Sequence, residues 1–203
     1  QNYEPQIDLF YKLTPQLNAS LTVNTDFSAA EVDSRQVNLT RFNLFFPEQR
    51  NFFLNDADLF QFGNIGNVSN QATNDSSVQN ARPYFSRKIG LGPGGVPVDI
   101  EYGGRISGRV GRWNIGTLAI QQGAYGALDA STLMVSRVSA NVLAESNVGF
   151  VITDGDPTSN RDNTVFGTDF RYLNTRLPSG TALEGDAWYM QSQTPGMVGD
   201  DAA

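Results

Sequence analysis

The strongest constraint on the fold is an alternation of apolar and polar residues between positions 17 and 27. The odd positions hold Leu17, Ala19, Leu21, Val23, Thr25 and Phe27, and the even positions hold Asn18, Ser20, Thr22, Asn24 and Asp26. Successive side chains of a β-strand point to opposite faces, so this segment predicts a strand with one apolar and one polar face. Its length matches the roughly 9–11 residues with which a strand crosses a bilayer.

The same two-residue period recurs along most of the chain. Residues 7–13 are the predicted partner strand, although Phe10 interrupts their polar face, and a turn at Thr14-Pro15 makes the pair a hairpin. Further strands are predicted at residues 105–110, 113–122, 130–142, 147–153, 166–172 and 181–192, with turns at 111–112, near Ser146-Asn147 and at 177–180. The pattern predicts an all-β, antiparallel up-and-down meander.

The lengths of the predicted connections add a second observation. Short turns near residues 14–15, 111–112, 145–147 and 177–180 alternate with longer polar connections near 123–130 and 154–162. Outer-membrane β-barrels have short periplasmic turns and longer outer loops. Soluble sandwiches and barrels also alternate, because the pattern does not distinguish lipid from a protein core. On the pattern alone, both the membrane barrel and the soluble sheet stay open.

Residues 41–62 lack the two-residue period and are rich in phenylalanine. Pro47 could open a short helix near residues 45–60, with Glu48 in its first turn. The side chains that would then share one face are Phe46, Phe53, Ala57 and Phe60. We expect this segment to be a plug packed in the mouth of the barrel, with a partner-binding aromatic patch as the alternative. Residues 63–81 are predicted to be a polar loop.

Composition excludes several classes of function. The 203 residues contain no histidine, which removes Ser-His-Asp and Cys-His catalysis and the usual zinc sites. A net charge of −7 argues against binding to nucleic acid, which needs clustered positive charge. No stretch approaches the roughly 20 apolar residues of a transmembrane helix. We therefore expect a chain that is not an enzyme and that could enter a membrane only as strands.

Charged residues on the predicted polar faces are the candidates for a site. Arg105, Arg109 and Arg171 would point into the lumen of a barrel, where they could pair with Asp169 or Glu101. A structural ion-pair network is the preferred interpretation, because such pairing satisfies buried charge; a role in selectivity is the alternative. The candidates for anchoring the Phe-rich segment by the same logic are Arg41, Glu48 and Arg50.

The loop at residues 153–162 carries oxygen ligands at a spacing that a calcium ion could use. Its acidic candidates are Asp154, Asp156 and Asp162. Calcium takes six to eight oxygen ligands, but the loop lacks the bidentate glutamate of an EF-hand. Asp-Gly and Asp-Pro are ordinary turn sequences, so a solvated hairpin loop is the preferred interpretation and no cofactor is expected.

Four segments carry a family resemblance: DLFYKLTPQLNASLTVNTDFSAAEVDSRQVNLTRFNLFFPEQRNFFL, ADLF, YFSRKIGL and GGRISGRVGRWNIGTLAIQ. They are similar to the bacterial domain of unknown function numbered 5916, which usually follows a domain resembling carbohydrate-binding module family 9. Asn51 and Asn55 depart from the family pattern, where we expect a proline and an acid.

The resemblance implies an outer-membrane barrel of unassigned activity, of which residues 1–203 are a fragment. An upstream signal peptide and binding module, and further strands downstream, are expected. Within the fragment, residues 1–40 would form strand hairpins, 41–97 the Phe-rich insert and polar loop, and 98–203 a β-meander.

The expected function is a non-enzymatic outer-membrane barrel of a Gram-negative bacterium, in contact with lipid and linked to the binding or uptake of a polysaccharide or oligosaccharide. The alternative is a secreted, soluble β-rich protein that binds or acts on glycans. A protein partner is left undetermined by the sequence.

Overall fold

The fold is a single antiparallel sheet in which every strand pairs with the next one along the chain. A computed structural model describes residues 7–25, 48, 50–65, 81–92, 97–178, 180–197 and 201–202. These residues contain nine strands in the order β1 to β9. The predicted all-β meander is confirmed.

The strands cover most of the segments that alternate in sequence. They are β1 (Ile7–Thr14), β2 (Leu17–Thr25), β3 (Ile100–Val110), β4 (Trp113–Gln122), β5 (Ser131–Val142), β6 (Ser146–Asp154), β7 (Thr164–Asn174), β8 (Leu183–Gln193) and the two-residue β9 (Asp201–Ala202). The turn predicted near residues 145–147 comprises residues 143–145, where Leu143 has a φ of 54°. Ser146 already belongs to β6, because it pairs with Val142 of β5.

The connections are short at one end of the sheet, apart from the eight residues between β7 and β8, and longer at the other. The hairpins β1–β2, β3–β4 and β5–β6 are joined by two or three residues, at what we call the short-turn end. Residues 123–130 and 155–163, and the much longer connection between β2 and β3, leave the other end, which we call the long-loop end. Neighbouring strands alternate in direction, so consecutive connections must alternate between the two ends.

The two faces of the sheet have different surroundings. One face, which we call the covered face, carries the buried side chains Arg105, Leu118, Arg137, Val151 and Asp169. The other face, which we call the open face, carries large apolar side chains that are 39–49% exposed: Leu21, Ile106, Phe150, Phe170 and Tyr189. The strand period places these sets on opposite sides, as the register of each strand pair requires.

The covered face is packed against the connection between β2 and β3. We call its described residues 48, 50–65 and 81–92 the insert. It contains a short helix, α1 (Asn51–Leu54), and 3-10 helices at Ala57–Phe60 and Ser86–Lys88. Phe52, Phe53, Leu59 and Phe60 join a core with strand residues such as Leu118, Ile120 and Val135. These phenylalanine rings are therefore buried, but Ala57, predicted to share a face with Phe53 and Phe60, is exposed because the segment forms two short helices and not one. The predicted start at Phe46 and Pro47 lies outside the described residues.

Two glycines of the sheet make room for the aromatic rings of the insert. A Cβ atom added at Gly116 would lie 3.0 Å from the Phe60 ring, and one added at Gly167 would lie 2.8 Å from the Phe62 ring. Phe62 also meets Trp188 edge to face, with 6.3 Å between ring centroids. Each ring can rest directly on the backbone because the facing strand position has no side chain.

The sheet has two edges in the part of the chain that the structure describes. No pairing within those residues joins β1 to β9, and every residue of β1 is exposed. No helix among them is long and apolar enough to cross a membrane.

We expect the substitution Phe60→Ala to destabilise the fold by about 3–5 kcal/mol, the cost of removing a buried phenylalanine ring and leaving a cavity. Leu54→Ala is the matched control, because Leu54 lies in the same insert and is 45% exposed. The measurement is the free energy of unfolding in urea. Equal losses for the two variants would contradict the packing of the insert against the sheet.

Candidate functional site

The register brings polar side chains of the covered face together near the short-turn end. One row of cross-strand partners, from β3 to β7, is Arg109, Asn114, Ser139, Gly149 and Asp169. The next row towards the turns, from β5 to β8, is Asn141, Asn147, Arg171 and Asp186. The rows nearer the long-loop end are largely aliphatic, as in Leu118, Val135 and Val165. The covered face therefore changes from polar to apolar along the strands.

A buried ion pair lies at the centre of this polar region. Arg137 donates to both carboxylate oxygens of Asp169, Nη1 to Oδ1 at 2.7 Å and Nη2 to Oδ2 at 2.8 Å. Their side chains are 5% and 6% exposed. Gly149 lies between them in the sheet, and a Cβ there would come within 2.5 Å of the Asp169 carboxylate. The missing side chain at Gly149 lets the pair span three strands.

The same ion pair also holds the insert. The backbone N–H of Gly63 donates to Asp169 Oδ2 at 3.1 Å. The Arg137 guanidinium lies 5.5 Å from the centroid of the Phe62 ring, within the range of a cation–π contact. Asp169 thus accepts hydrogen bonds from both the sheet and the insert, which fixes one against the other.

Arg105 binds the main chain of the insert rather than a carboxylate. Its Nη1 donates to the carbonyl oxygens of Phe52 and Asn55, the latter at 2.7 Å. The adjacent Ser107 hydroxyl donates to Asp56 Oδ2 at 2.7 Å. The predicted pairing of Arg105 with Asp169 or Glu101 is wrong, because α1 brings backbone acceptors closer to Arg105 than either acid.

Arg109 and Arg171 have carboxylate partners other than those predicted. Arg109 pairs with Asp58 of the insert. Arg171 donates from Nε to Glu184 Oε1 at 3.0 Å, on the neighbouring strand. Asp169 is not available to them, since it is paired with Arg137. Both arginines lie on the covered face, where the alternation predicted them.

Glu48 and Arg50 act within the insert. Arg50 is buried, pairs with Glu48 at 2.8 Å, and donates to the carbonyl oxygens of Ser86 and Ile89. It therefore fastens residues 50–65 to residues 81–92. Burial by itself raises the pKa of the Glu48 carboxyl, but hydrogen bonds from Arg50 and Ser86 and the Arg50 charge outweigh it and lower that pKa. The remaining anchoring candidate, Arg41, lies outside the described residues.

The candidate calcium loop uses its acids for local hydrogen bonds. Asp154 accepts from the Thr164 hydroxyl at 2.6 Å, and Asp156 accepts from the Thr158 amide and the Ser159 hydroxyl. Asp154, Asp156 and Asp162 do not converge, and no group of three acidic, histidine or cysteine residues in the described part of the chain could hold a metal ion. Turn chemistry accounts for these contacts.

A half-open cavity of about 310 Å³ lies between the polar rows and residues 58–64 of the insert. Apart from Leu59, each residue that lines it is polar or charged. Its guanidinium groups belong to Arg109, Arg137 and Arg171, and its carboxamides to Gln61, Asn64, Asn114, Asn141 and Asn147. The cavity thus brings polar side chains of the covered face and of the insert together.

Sequence analysis missed Arg137, Gly149 and the amides around them. Arg137 shares its face with Leu133 and Val135, so the alternation in β5 does not mark a polar side. The available signal was the register: two successive hairpins bring Arg137, Gly149 and Asp169 to neighbouring positions on one face. The amides have no motif, because they meet only through strand pairing.

Comparison with known proteins gives one match. Residues 2–82 match the family described as Domain of unknown function (DUF5916). The chain resembles that family over this segment. No curated protein and no solved structure matches the chain. The DUF5916 segment holds β1, β2 and the first part of the insert, whereas Arg105, Arg109, Arg137 and Asp169 lie beyond it.

We expect Arg137→Met to cost about 3–5 kcal/mol of folding free energy, because it leaves the Asp169 carboxylate buried without a cation. Arg171→Met is the control: that side chain is 36% exposed, and its pair with Glu184 contributes about 1 kcal/mol or less. Urea unfolding measures both. The double variant Arg137→Met/Asp169→Leu should recover part of the loss, and a double variant as damaged as the single one would contradict this account.

The Glu48 pair should make stability depend on pH. A carboxyl whose pKa is lower in the folded state contributes stability above its ordinary pKa of 4.5, and that contribution is lost as the pH falls through the folded-state value. The unfolding free energies of the wild type and Glu48→Gln should therefore differ most near neutral pH and converge in acid. A difference that stays constant with pH would refute the prediction.

Proposed function

We propose that this chain forms part of a non-enzymatic outer-membrane β-barrel of a Gram-negative bacterium. The open face would contact lipid, the covered face would line the lumen, and the insert would be a plug held in that lumen. The observation that carries the proposal is the open face, whose strands present large apolar side chains outward and almost no charged ones. DUF5916 is a family of unknown function, so the proposal rests on these physical features.

Charge is nearly absent from the outward positions of the strands. From Ile7 in β1 to Gln193 in β8, the described outward positions that follow the regular two-residue period include one acidic or basic residue, Asp154. Asp154 lies at the long-loop end of β6, where a membrane strand would reach the interface. Charged side chains on a lipid-facing surface are costly at the bilayer centre and far less so near its edges.

Several hydroxyl side chains on the open face bond to groups within the sheet. The hydroxyls of Thr117 and Ser136 bond each other at 2.9 Å, and the Thr168 hydroxyl donates to the Gly149 carbonyl at 3.0 Å. Nearer the long-loop end, the Thr132 hydroxyl donates to Gln121 Oε1 at 2.6 Å. In water such groups need no protein partner, whereas in hydrocarbon an unsatisfied polar group costs several kcal/mol.

The lengths of the strands and of their connections are those expected of strands that cross a bilayer. The strands β1–β8 have 8–12 residues, against the roughly 9–11 needed to cross a membrane at a tilt. At the long-loop end every connection has seven residues or more, whereas three of the four connections at the other end have two or three residues and the fourth, between β7 and β8, has eight. Short connections at one end and longer ones at the other are typical of outer-membrane barrels.

Closure of the sheet would need further strands. Eight antiparallel pairings separate β1 from β9, so these two strands run in the same direction. Direct pairing of β1 with β9 would therefore be parallel, and antiparallel closure requires an odd number of additional strands. A lipid-embedded sheet cannot leave its edges unpaired, because each edge carries unsatisfied backbone groups.

The competing function is a secreted, soluble β-rich protein that binds or acts on glycans. In such a protein the open face would be buried under other protein, and residues on it would be inaccessible to both water and lipid. The two functions therefore differ in what touches Phe150 and its outward neighbours.

Single-cysteine spin labels along β6 distinguish the two functions, since residues 1–203 contain no cysteine. The outward positions are Val148, Phe150 and Ile152, and the inward controls are Asn147 and Val151. In the full-length protein in lipid vesicles, we expect labels at outward positions to collide with dissolved oxygen, which concentrates in hydrocarbon, and not with a water-soluble nickel chelate.

Inward labels should show low oxygen access, so accessibility should alternate with a period of two along β6. Oxygen access that does not alternate, or outward labels that the nickel chelate reaches, would refute the lipid contact. Recovery of the full-length protein entirely in the soluble fraction would have the same consequence.

A further inference from the structure

The cavity of the covered face has a chemistry that neither lipid contact nor the holding of the insert explains. It lies near the short-turn end, between strands β3–β7 and residues 58–64. We infer that it binds a neutral polyhydroxylated ligand, of the size of one sugar unit. The inference is independent of the membrane, because it uses only side chains of the covered face and the insert.

The charges around the cavity are neutralised by their neighbours. Arg137 is bonded to Asp169 through two hydrogen bonds, and Arg109 and Arg171 are paired with Asp58 and Glu184. An anionic ligand would meet no guanidinium whose charge is not already balanced by a carboxylate. The cavity therefore favours a ligand without net charge.

Carboxamides supply the remaining recognition groups. The side chains of Gln61 and Asn147 have no hydrogen-bond partner in the described part of the chain, and the N–H groups of Asn141 donate to none there. Each carboxamide offers two N–H donors and one carbonyl acceptor side by side. Ligand hydroxyls donate and accept in the same way, so they can satisfy several of these amides at once.

The volume of the cavity and the elements that line it favour a ligand of one compact sugar-sized unit. Its volume of about 310 Å³ lies at the lower limit of the roughly 300–1,000 Å³ of ligand sites. Asn141 and Asn147 are direct partners in the β5–β6 ladder, and Gln61 approaches from the insert. These groups are therefore held on opposite walls by rigid elements, which limits the entropy lost on binding. An extended peptide would need a longer groove.

The test uses the full-length protein and three neutral hexoses, D-glucose, D-galactose and D-mannose, with D-glucuronate and D-glucosamine as charged analogues. Saturation-transfer NMR titrations give the affinities. We expect at least one neutral hexose to bind saturably and more tightly than both D-glucuronate and D-glucosamine. Asn147→Ala and Gln61→Ala should each weaken binding about threefold to tenfold, the loss of one or two hydrogen bonds.

The matched control is Asn18→Ala, because Asn18 is also a strand asparagine on the covered side near a short turn but does not line the cavity. Its affinity should equal that of the wild type. Any one of three results would overturn the inference: no saturable binding of the three hexoses, equal binding by Asn147→Ala and the wild type, or tighter binding of the glucuronate. The spin-label experiment on β6 can fail without affecting these results, so the two proposals are tested separately.

Discussion

The strict alternation of side chains between the two faces of a strand governs this molecule, because one face is occupied by the insert and the other is not. A shift of one residue in the register of β6 or β7 would move Phe150 or Phe170 under the insert, and the shift of β7 would also turn Asp169 away from Arg137. The buried charged residues therefore disfavour a shifted register, because it would break their ion pair. Apolar residues at the same positions would tolerate the shift. The residue patterns of the two faces therefore depend on the same strand register.

The insert is held by its backbone as much as by its side chains. Arg105 binds two carbonyl oxygens next to α1, Gly63 donates its N–H to Asp169, and the Gly90 N–H donates to Gln122 at the long-loop end. These contacts satisfy polar groups of irregular backbone that would otherwise be buried without partners. A Phe-rich connection of this kind can lie against a sheet because the sheet supplies donors and acceptors for it.

The sequence predicted the local features and missed the contacts that join distant segments. Eight strands follow from two-residue alternation and turn residues, and burial of the Phe-rich segment follows from its composition. The partners of Arg105 and Arg109 lie about 50 residues away in the insert, and no local pattern encodes them. Glu184 and Asp186, which blur the alternation of β8, are explained only by their closeness to Arg171. Where long-range pairing decides the contact, local periodicity carries no information about it.

The buried Arg137–Asp169 pair needs a reason, because replacing such a pair by well-packed apolar residues is often neutral or stabilising. Apolar contacts here would not be selective. The covered face has similar slots at Gly116 and Gly167, and a phenylalanine ring could rest on either. Asp169 accepts from two guanidinium nitrogens of Arg137 and from the Gly63 N–H, which are directional contacts between the sheet and one particular residue of the insert. The ion pair therefore fixes where the insert sits, while the aromatic rings provide the energy that holds it.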